Sequence, residues 1–237
     1  TTEIYTLSLH DALPIFSAGA TLGIGSVNGI TASAASGNIQ MSSRNYSSGA
    51  SYIYSGTSGQ VQGDGLPSSL TNLTVDNPAN LTMQANITVT GVLTLTNGHI
   101  IPGSWILFVS NSASGAVVGG STTSYVRGTL RRSIAGGANY NFPVGSNPYD
   151  HVEISFDGSS ATGTLDVSTT TGDHPQIGSS YFNAGESVNR TWTMNVVSGL
   201  SPVLYDATFN WESGEKDTNF EYADSHVGKY KIGRAHV

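Results

Sequence analysis

The chain has 237 residues, a formal net charge of −7 from 9 basic and 16 acidic side chains, and only 11% charged residues in all. A nucleic-acid binder needs a basic stripe, and the paired basics Arg131 and Arg132 fall on opposite sides of an extended strand and make no patch. With no cysteine the chain holds no disulfide or thiolate metal site, and no apolar run approaches the ~18 residues of a membrane-spanning helix.

The opening residues 1–15, TTEIYTLSLHDALPI, resemble the conceptual translation of a common short-read sequencing adapter. The closing residues 232–237, IGRAHV, resemble the adapter of the opposite end. On that resemblance residues 1–16 and 232–237 are expected to be non-native, and Glu3, His10, Asp11, Arg234 and His236 carry no function. The part between them is then expected to be a fragment of a longer reading frame.

Residues 17–66 are rich in glycine, with apolar positions at Leu22/Ile24, Ile30, Ile39/Met41, Tyr52/Tyr54 and Val61. The pattern is clearest over residues 70–101, where apolar dyads recur at Leu73/Val75, Leu81/Met83, Ile87/Val89 and Leu93/Leu95. Each dyad encloses one polar residue, so both apolar side chains share a face of a short strand. Asn, Gly, Pro and Asp between the dyads turn the chain after each strand. None of these strands can bury its face alone, but stacked coils can, which predicts a β-solenoid. An offset of about 20 residues aligns Ile53 with Leu73, Val61 with Leu81, Leu73 with Leu93 and Ile87 with Leu107, the size of one coil with three short strands. The most apolar run, residues 105–109, places the last coils over residues 100–123.

From Tyr125 the pattern lengthens. YVRGTLRRSI, the turn AGGAN and YNFPVG predict a β-hairpin. Further strands are expected at residues 151–156, 163–168, 188–196, 205–211 and 226–230. Strands of this length with turns between them predict an antiparallel β-sandwich. No 3.6-residue apolar stripe predicts a helix. The fold class is therefore all-β: a short β-solenoid over residues 17–124, then a β-sandwich over residues 125–231 that is incomplete at its C-terminus.

The segments ASGNIQ, YIYSGTSGQ, GDGLPSSLTNLTVDN and TVTGVLTLTNGHI resemble repeats of adhesin-like passengers in large secreted bacterial surface proteins, a group often exported by the type IX route. YVRGTLRRSI with NFPVG, and NRTWTM with YDATFNW, resemble the β-sandwich modules that follow such repeats. The resemblance implies an extracellular or outer-surface location and a structural, adhesive role of stalk and display with no chemistry of its own. It implies surface glycans or extracellular matrix as partners. Such proteins usually close in a C-terminal sorting domain, and none is visible here.

Candidate chemistry is sparse. The acidic stretch over residues 206–224 holds Asp206, Glu212, Glu215, Asp217, Glu221 and Asp224, hard oxygens that suit calcium or, more simply, a solvated loop. His99, His151, His174 and His226 lie at no metal-ligand spacing from one another, so no metal site or cofactor is expected. Trp105, Trp192 and Trp211, or Tyr46, Tyr52 and Tyr54, offer sugar-stacking faces, although core packing explains Trp192 and Trp211 with their strand neighbours Met194 and Phe209, and coil filling explains the tyrosines. In the solenoid part the acids are Asp64 and Asp76, and the one basic residue before 125 is Arg44, too thin a set for a catalytic groove. Asp150, His151 and Glu153 adjoin one another with no nucleophile placed beside them. No catalytic residue is expected. The sequons at Asn72, Asn80, Asn86 and Asn189 arise from composition. A carbohydrate-binding module is the alternative reading, and a β-helix polysaccharide lyase or hydrolase the third.

Overall fold

The structure is a computed structural model, which describes residues 15–33, 36–41, 44–157, 162–200 and 204–229. The expected non-native ends lie outside these residues except for Ile15 and Phe16. The chain is nearly all β, with a β-solenoid of about four turns followed by antiparallel sheets. Its helices are single 3-10 turns, and among the described residues no helix is long and apolar enough to cross a membrane.

In chain order the strands are β1 (Ile15–Phe16), β2 (Thr21–Ile24), β3 (Asn45–Tyr46), β4 (Ser51–Tyr54), β5 (Gln60–Val61), β6 (Ser69–Leu70), β7 (Asn72–Asp76), β8 (Leu81–Thr82), β9 (Ile87–Val89) and β10 (Leu93–Asn97). There follow β11 (Ile100–Ile101), β12 (Leu107–Val109), β13 (Val117–Gly119), β14 (Leu130–Ala135), β15 (Asn139–Phe142), β16 (Val152–Phe156), β17 (Thr162–Thr171), β18 (Arg190–Gly199) and β19 (Tyr205–Phe209).

The coils stack through parallel ladders on three faces. One face runs β2, β4, β7, β10 and β13; a second runs β5, β8 and β11; the third runs β6, β9, β12 and on to β14. Inward side chains form columns along the stack. Tyr52, Leu73, Leu93 and Val117 are successive partners in one, and Leu70, Val89, Val109 and Arg132 in another. All these side chains are buried. The twenty-residue step holds where it pairs Leu73 with Leu93 and Ile87 with Leu107.

It slips by one residue in the earlier coils. Tyr52, not Ile53, pairs with Leu73, and Gln60, not Val61, pairs with Leu81. A one-residue slip exchanges the two faces of a strand. Tyr52 and Tyr54 therefore fill the interior, as coil filling requires, while Ile53 and Val61 face outward. Each tyrosine hydroxyl reaches a backbone carbonyl, Tyr52 donating to Ser47 O at 2.7 Å and Tyr54 to Gln62 O at 2.6 Å, so burial strands neither. Met41, expected as an apolar coil position, is exposed.

Gln60 is the inward residue of β5 and makes four hydrogen bonds across successive coils. Its Oε1 accepts from Gly56 N and Asn77 Nδ2, both at 2.9 Å, and its Nε2 donates to Ile24 O at 2.8 Å and Ser26 O at 2.9 Å. A fully satisfied buried amide acts as a polar rung. Gln60→Ala is expected to lower the unfolding free energy by about 2 kcal/mol, because buried partners lose their bonds; urea denaturation reads the shift. The sequon asparagines serve as similar staples. Asn72, Asn80 and Asn86 accept from the N–H of Val92, His99 and Ile106 in the following coil, at 2.9, 2.8 and 2.9 Å.

The solenoid runs into the antiparallel part without a break. Residue 124 lies in the turn closed by Ser121 and Ser124, yet the third face continues through β14, which pairs parallel with β12 and antiparallel with β17; β18 then pairs with β17 at the sheet edge. A second antiparallel sheet, β15, β16 and β19, covers the inner side of this extension. The hairpin expected across AGGAN is not formed. β14 and β15 lie in different sheets, joined by an arch instead of a ladder. The reason is side-chain volume: the inward residues of β14 and β15, Arg132, Ile134, Tyr140 and Phe142, are all buried and fill the gap between layers. The expected strands at residues 151–156, 163–168, 188–196 and 205–211 are present with shifted ends, β19 stopping at Phe209. The strand expected at 226–230 is absent over the described residues 226–229.

Arg132 occupies the point where the two architectures meet. It continues the apolar column of Leu70, Val89 and Val109, and its side chain is fully buried. Nη1 donates to Asn141 O at 2.6 Å, and Nη2 donates to Ser114 O at 2.8 Å and Ala113 O at 3.2 Å. Its guanidinium lies 5.1 Å from the Tyr140 ring centre and 5.5 Å from that of Phe142. Burial pushes its pKa down to about 10, which leaves the charge intact at neutral pH. Arg131, one residue earlier, faces the other way and pairs with Asp166 at 2.6 and 2.8 Å near the surface. Alternation along the strand separates the two arginines as expected.

Candidate functional site

The acids of the solenoid are used internally. Asp64 Oδ1 accepts from Ala32 N at 2.8 Å, and Asp76 Oδ1 accepts from Asn97 Nδ2 at 2.5 Å. Arg44 donates to Met41 O and Thr31 O, holding the wide turn before β3. These residues form no groove of facing carboxylates.

Four aromatic rings run in a row at the solenoid–sandwich junction, an arrangement that no sequence motif marks. His99 lies 4.1 Å from Tyr125, Tyr125 5.6 Å from Tyr149, and Tyr149 4.6 Å from His151, measured between ring centres. His99 and Tyr125 precede Ile100 and Val126, which are bridged in parallel, so adjacent coils set the two rings side by side. Burial lowers the pKa of His99, helped by Arg127, and burial also lowers that of His151 against the pull of Glu153. Burial likewise raises the Tyr149 hydroxyl to about 12. Each inner ring is flanked by neighbours on both sides, which suits a seal between the two parts.

Asp150, His151 and Glu153 do not act together. His151 stacks on Tyr149, and Glu153 Oε2 receives a bond from Asn139 Nδ2 at 3.4 Å. Asp150 points inward to a buried charge cluster that joins distant parts of the chain. Arg190, at the start of β18, reaches Asp150 Oδ2 at 3.1 Å and pairs at closer range with Glu215. The Arg190 and Asp150 side chains are fully buried. Burial, joined by the neighbouring Glu215 carboxylate, pushes the Asp150 pKa up to about 8 against the pull of Arg190. Glu215 is held below its ordinary value: burial opposes ionisation, but the nearby Asp150 carboxyl, the bonds from Arg190 and the bond from the Glu212 backbone outweigh it. One guanidinium thus serves two carboxyls.

This cluster anchors a strap over residues 212–220. Glu212 and Glu215 close a capping box around the 3-10 turn Ser213–Glu215. Asp217 accepts from Ser187 N and Asn189 Nδ2, both at 2.9 Å, which also accounts for Asn189. Glu215 and Asp217 are therefore committed to internal partners, while Asp206 and Glu221 are exposed and apart in the chain. Among the described residues no three His, Cys, Asp or Glu side chains gather closely enough to hold a metal ion. His174 caps its own loop, its Nδ1 accepting from Gln176 N at 3.1 Å, and His226 lies in the exposed segment beyond the last turn.

The three tryptophans divide. Trp192 is packed against the core, 5.0 Å from Phe209, and its Nε1 donates to Asp150 O at 2.9 Å, as core packing requires. Trp105 is exposed on a coil turn. Trp211 lies two residues past the end of β19 and is only half-buried. It lines a shallow hollow of about 290 Å³ with Phe209, Asn210, Ser213 and Tyr222. Phe220 is buried beside it, edge-to-face with both Trp211 and Tyr222 at 6.3 and 5.2 Å. A wider hollow of about 500 Å³ opens beside Asp157, Tyr205 and Asp206 at the other end of β19. No family model matches the chain, and no curated protein or solved structure matches it at a significant level.

Proposed function

We propose that the chain is a structural, adhesive segment of a large secreted or cell-surface bacterial protein, serving as stalk and display with no chemistry of its own. The observation that carries this reading is the single sheet running from β6 through β9, β12 and β14 to β17 and β18. A load entering the coils passes to the antiparallel part through backbone ladders and the buried Arg132, with no linker between. Asn72, Asn80 and Asn86 at the turns are spent on inter-coil bonds, which stiffens the stack. Surface glycans or extracellular matrix are the partners such a segment would meet.

Calorimetry of the full chain tests the rigid-stalk reading: one cooperative transition is expected through solenoid and sandwich together. Two separated transitions, or release of unsaturated or reducing sugars from a polysaccharide panel, would replace it. The same melts run with calcium and with a chelator are expected to coincide. A calcium-dependent rise in Tm would locate a cation site that the acidic strap does not build.

A further inference from the structure

The hollow at Trp211 goes beyond the stalk reading and does not depend on it. Tyr222 is 60% exposed although it sits beside a buried aromatic, Phe220. Exposed aromatic surface grouped with other aromatic side chains is one mark of a contact site. The polar atoms around it are also uncommitted. Trp192 gives its indole N–H to a carbonyl, whereas within the described residues the Trp211 indole N–H, the Asn210 amide and the Ser213 hydroxyl make no hydrogen bond. Two aromatic faces with an amide, a hydroxyl and an indole donor around a hollow of about 290 Å³ match one sugar ring. The C–H face of a pyranose is weakly positive and suits the negative face of an aromatic quadrupole, while its hydroxyls take the polar groups. Charge narrows the class. Glu212 and Glu221 are exposed near the hollow, and one cation, Lys216, lies 5.1 Å over the Tyr222 ring. This balance disfavours uronates and sialylated chains.

We infer that the hollow between Trp211 and Tyr222 is a binding subsite for a single pyranose unit of a neutral glycan. Isothermal titration of the full chain with cellohexaose, xylohexaose, mannohexaose and chitohexaose tests it. At least one is expected to bind with a Kd at or below ~1 mM, the weak end of the affinity scale. Trp211→Ala and Tyr222→Ala are each expected to weaken that binding about tenfold or more, Tyr222→Ala with Tm unchanged, the size of loss expected of one good aromatic contact. Trp105→Ala, on an exposed coil turn outside the hollow, is expected to leave it unchanged. Tyr222 is exposed enough that its truncation leaves folding intact, so the test survives a Trp211 variant that fails to fold. Absence of binding to all four sugars, or binding untouched by Tyr222→Ala, would overturn the assignment while leaving the calorimetric test of the stalk intact.

Discussion

Arg132→Ala is expected to cost about 4 kcal/mol of stability, the range of large-to-small changes in a packed core, and to split thermal unfolding into two steps. The guanidinium fills the last inward position of the column begun by Leu70, Val89 and Val109. Its removal opens a cavity between Tyr140 and Phe142 and leaves the carbonyls of Ala113, Ser114 and Asn141 without their donor. The first two belong to the last coil and the third to the facing sheet, so one side chain ties both parts. Among the described residues no carboxylate faces it; its compensation is carbonyl oxygens and ring faces. Arg132→Lys keeps the charge but not the fork, and is expected to recover less than half of the loss. Arg132→Met separates volume from bonding: if it restores full stability and a single transition, the hydrogen bonds are not what joins the halves. Chemical denaturation followed by calorimetry reads all three.

Arg190→Met is expected to be nearly as severe, at about 3–5 kcal/mol, because removing one partner of a buried ionic cluster leaves the others uncompensated. Asp150 and Glu215 would then share a buried space with no cation. The strap over residues 212–220 is expected to detach first, seen as faster proteolysis near Lys216. The pH dependence of the wild type follows from the two carboxyls. The Asp150 pKa is raised in the fold to about 8, so its contribution is complete at acid pH and is lost as pH rises toward and through about 8. The Glu215 pKa is lowered in the fold, so its contribution is present at neutral pH and is lost as pH falls through its folded value. The strap is thus held best in the mildly acid range, above the folded value of Glu215, and loosens as pH rises toward 8. Asp150→Asn mimics the protonated carboxyl, and its stability relative to wild type is expected to rise with pH from 6 to 9. A difference that stays flat across that interval would mean that Asp150 is ionised in the fold.

Some of this was legible in the residues. The dyads Leu73/Val75, Ile87/Val89 and Leu93/Leu95 all point inward, since three-residue alternation between turn residues admits few other arrangements. The Arg131/Arg132 pair splits for the same reason. The earlier coils were not readable to the residue: Tyr52/Tyr54 and Ile53 compete for the inner face, and only the partner coils decide between them. The hairpin across AGGAN was misread because turn chemistry gives the reversal but not which strand lies alongside.

The site was hidden more deeply. Arg190, Asp150 and Glu215 are far apart in the chain, and nothing local marks them as partners. Trp211 looked like a core residue because it alternates with Phe209, but the strand ends between them. The row of rings His99, Tyr125, Tyr149 and His151 likewise exists only once adjacent coils and the loop before β16 are in place.

What the sequence determined by itself is the β character, the coil length in its most regular stretch and the change of texture near Tyr125, because these follow from side-chain alternation and turn residues, which act over a few positions. Register, the arch, the buried arginines and the open aromatic hollow were decided only by tertiary structure, because burial and charge pairing depend on which distant segments compete for the same interior space.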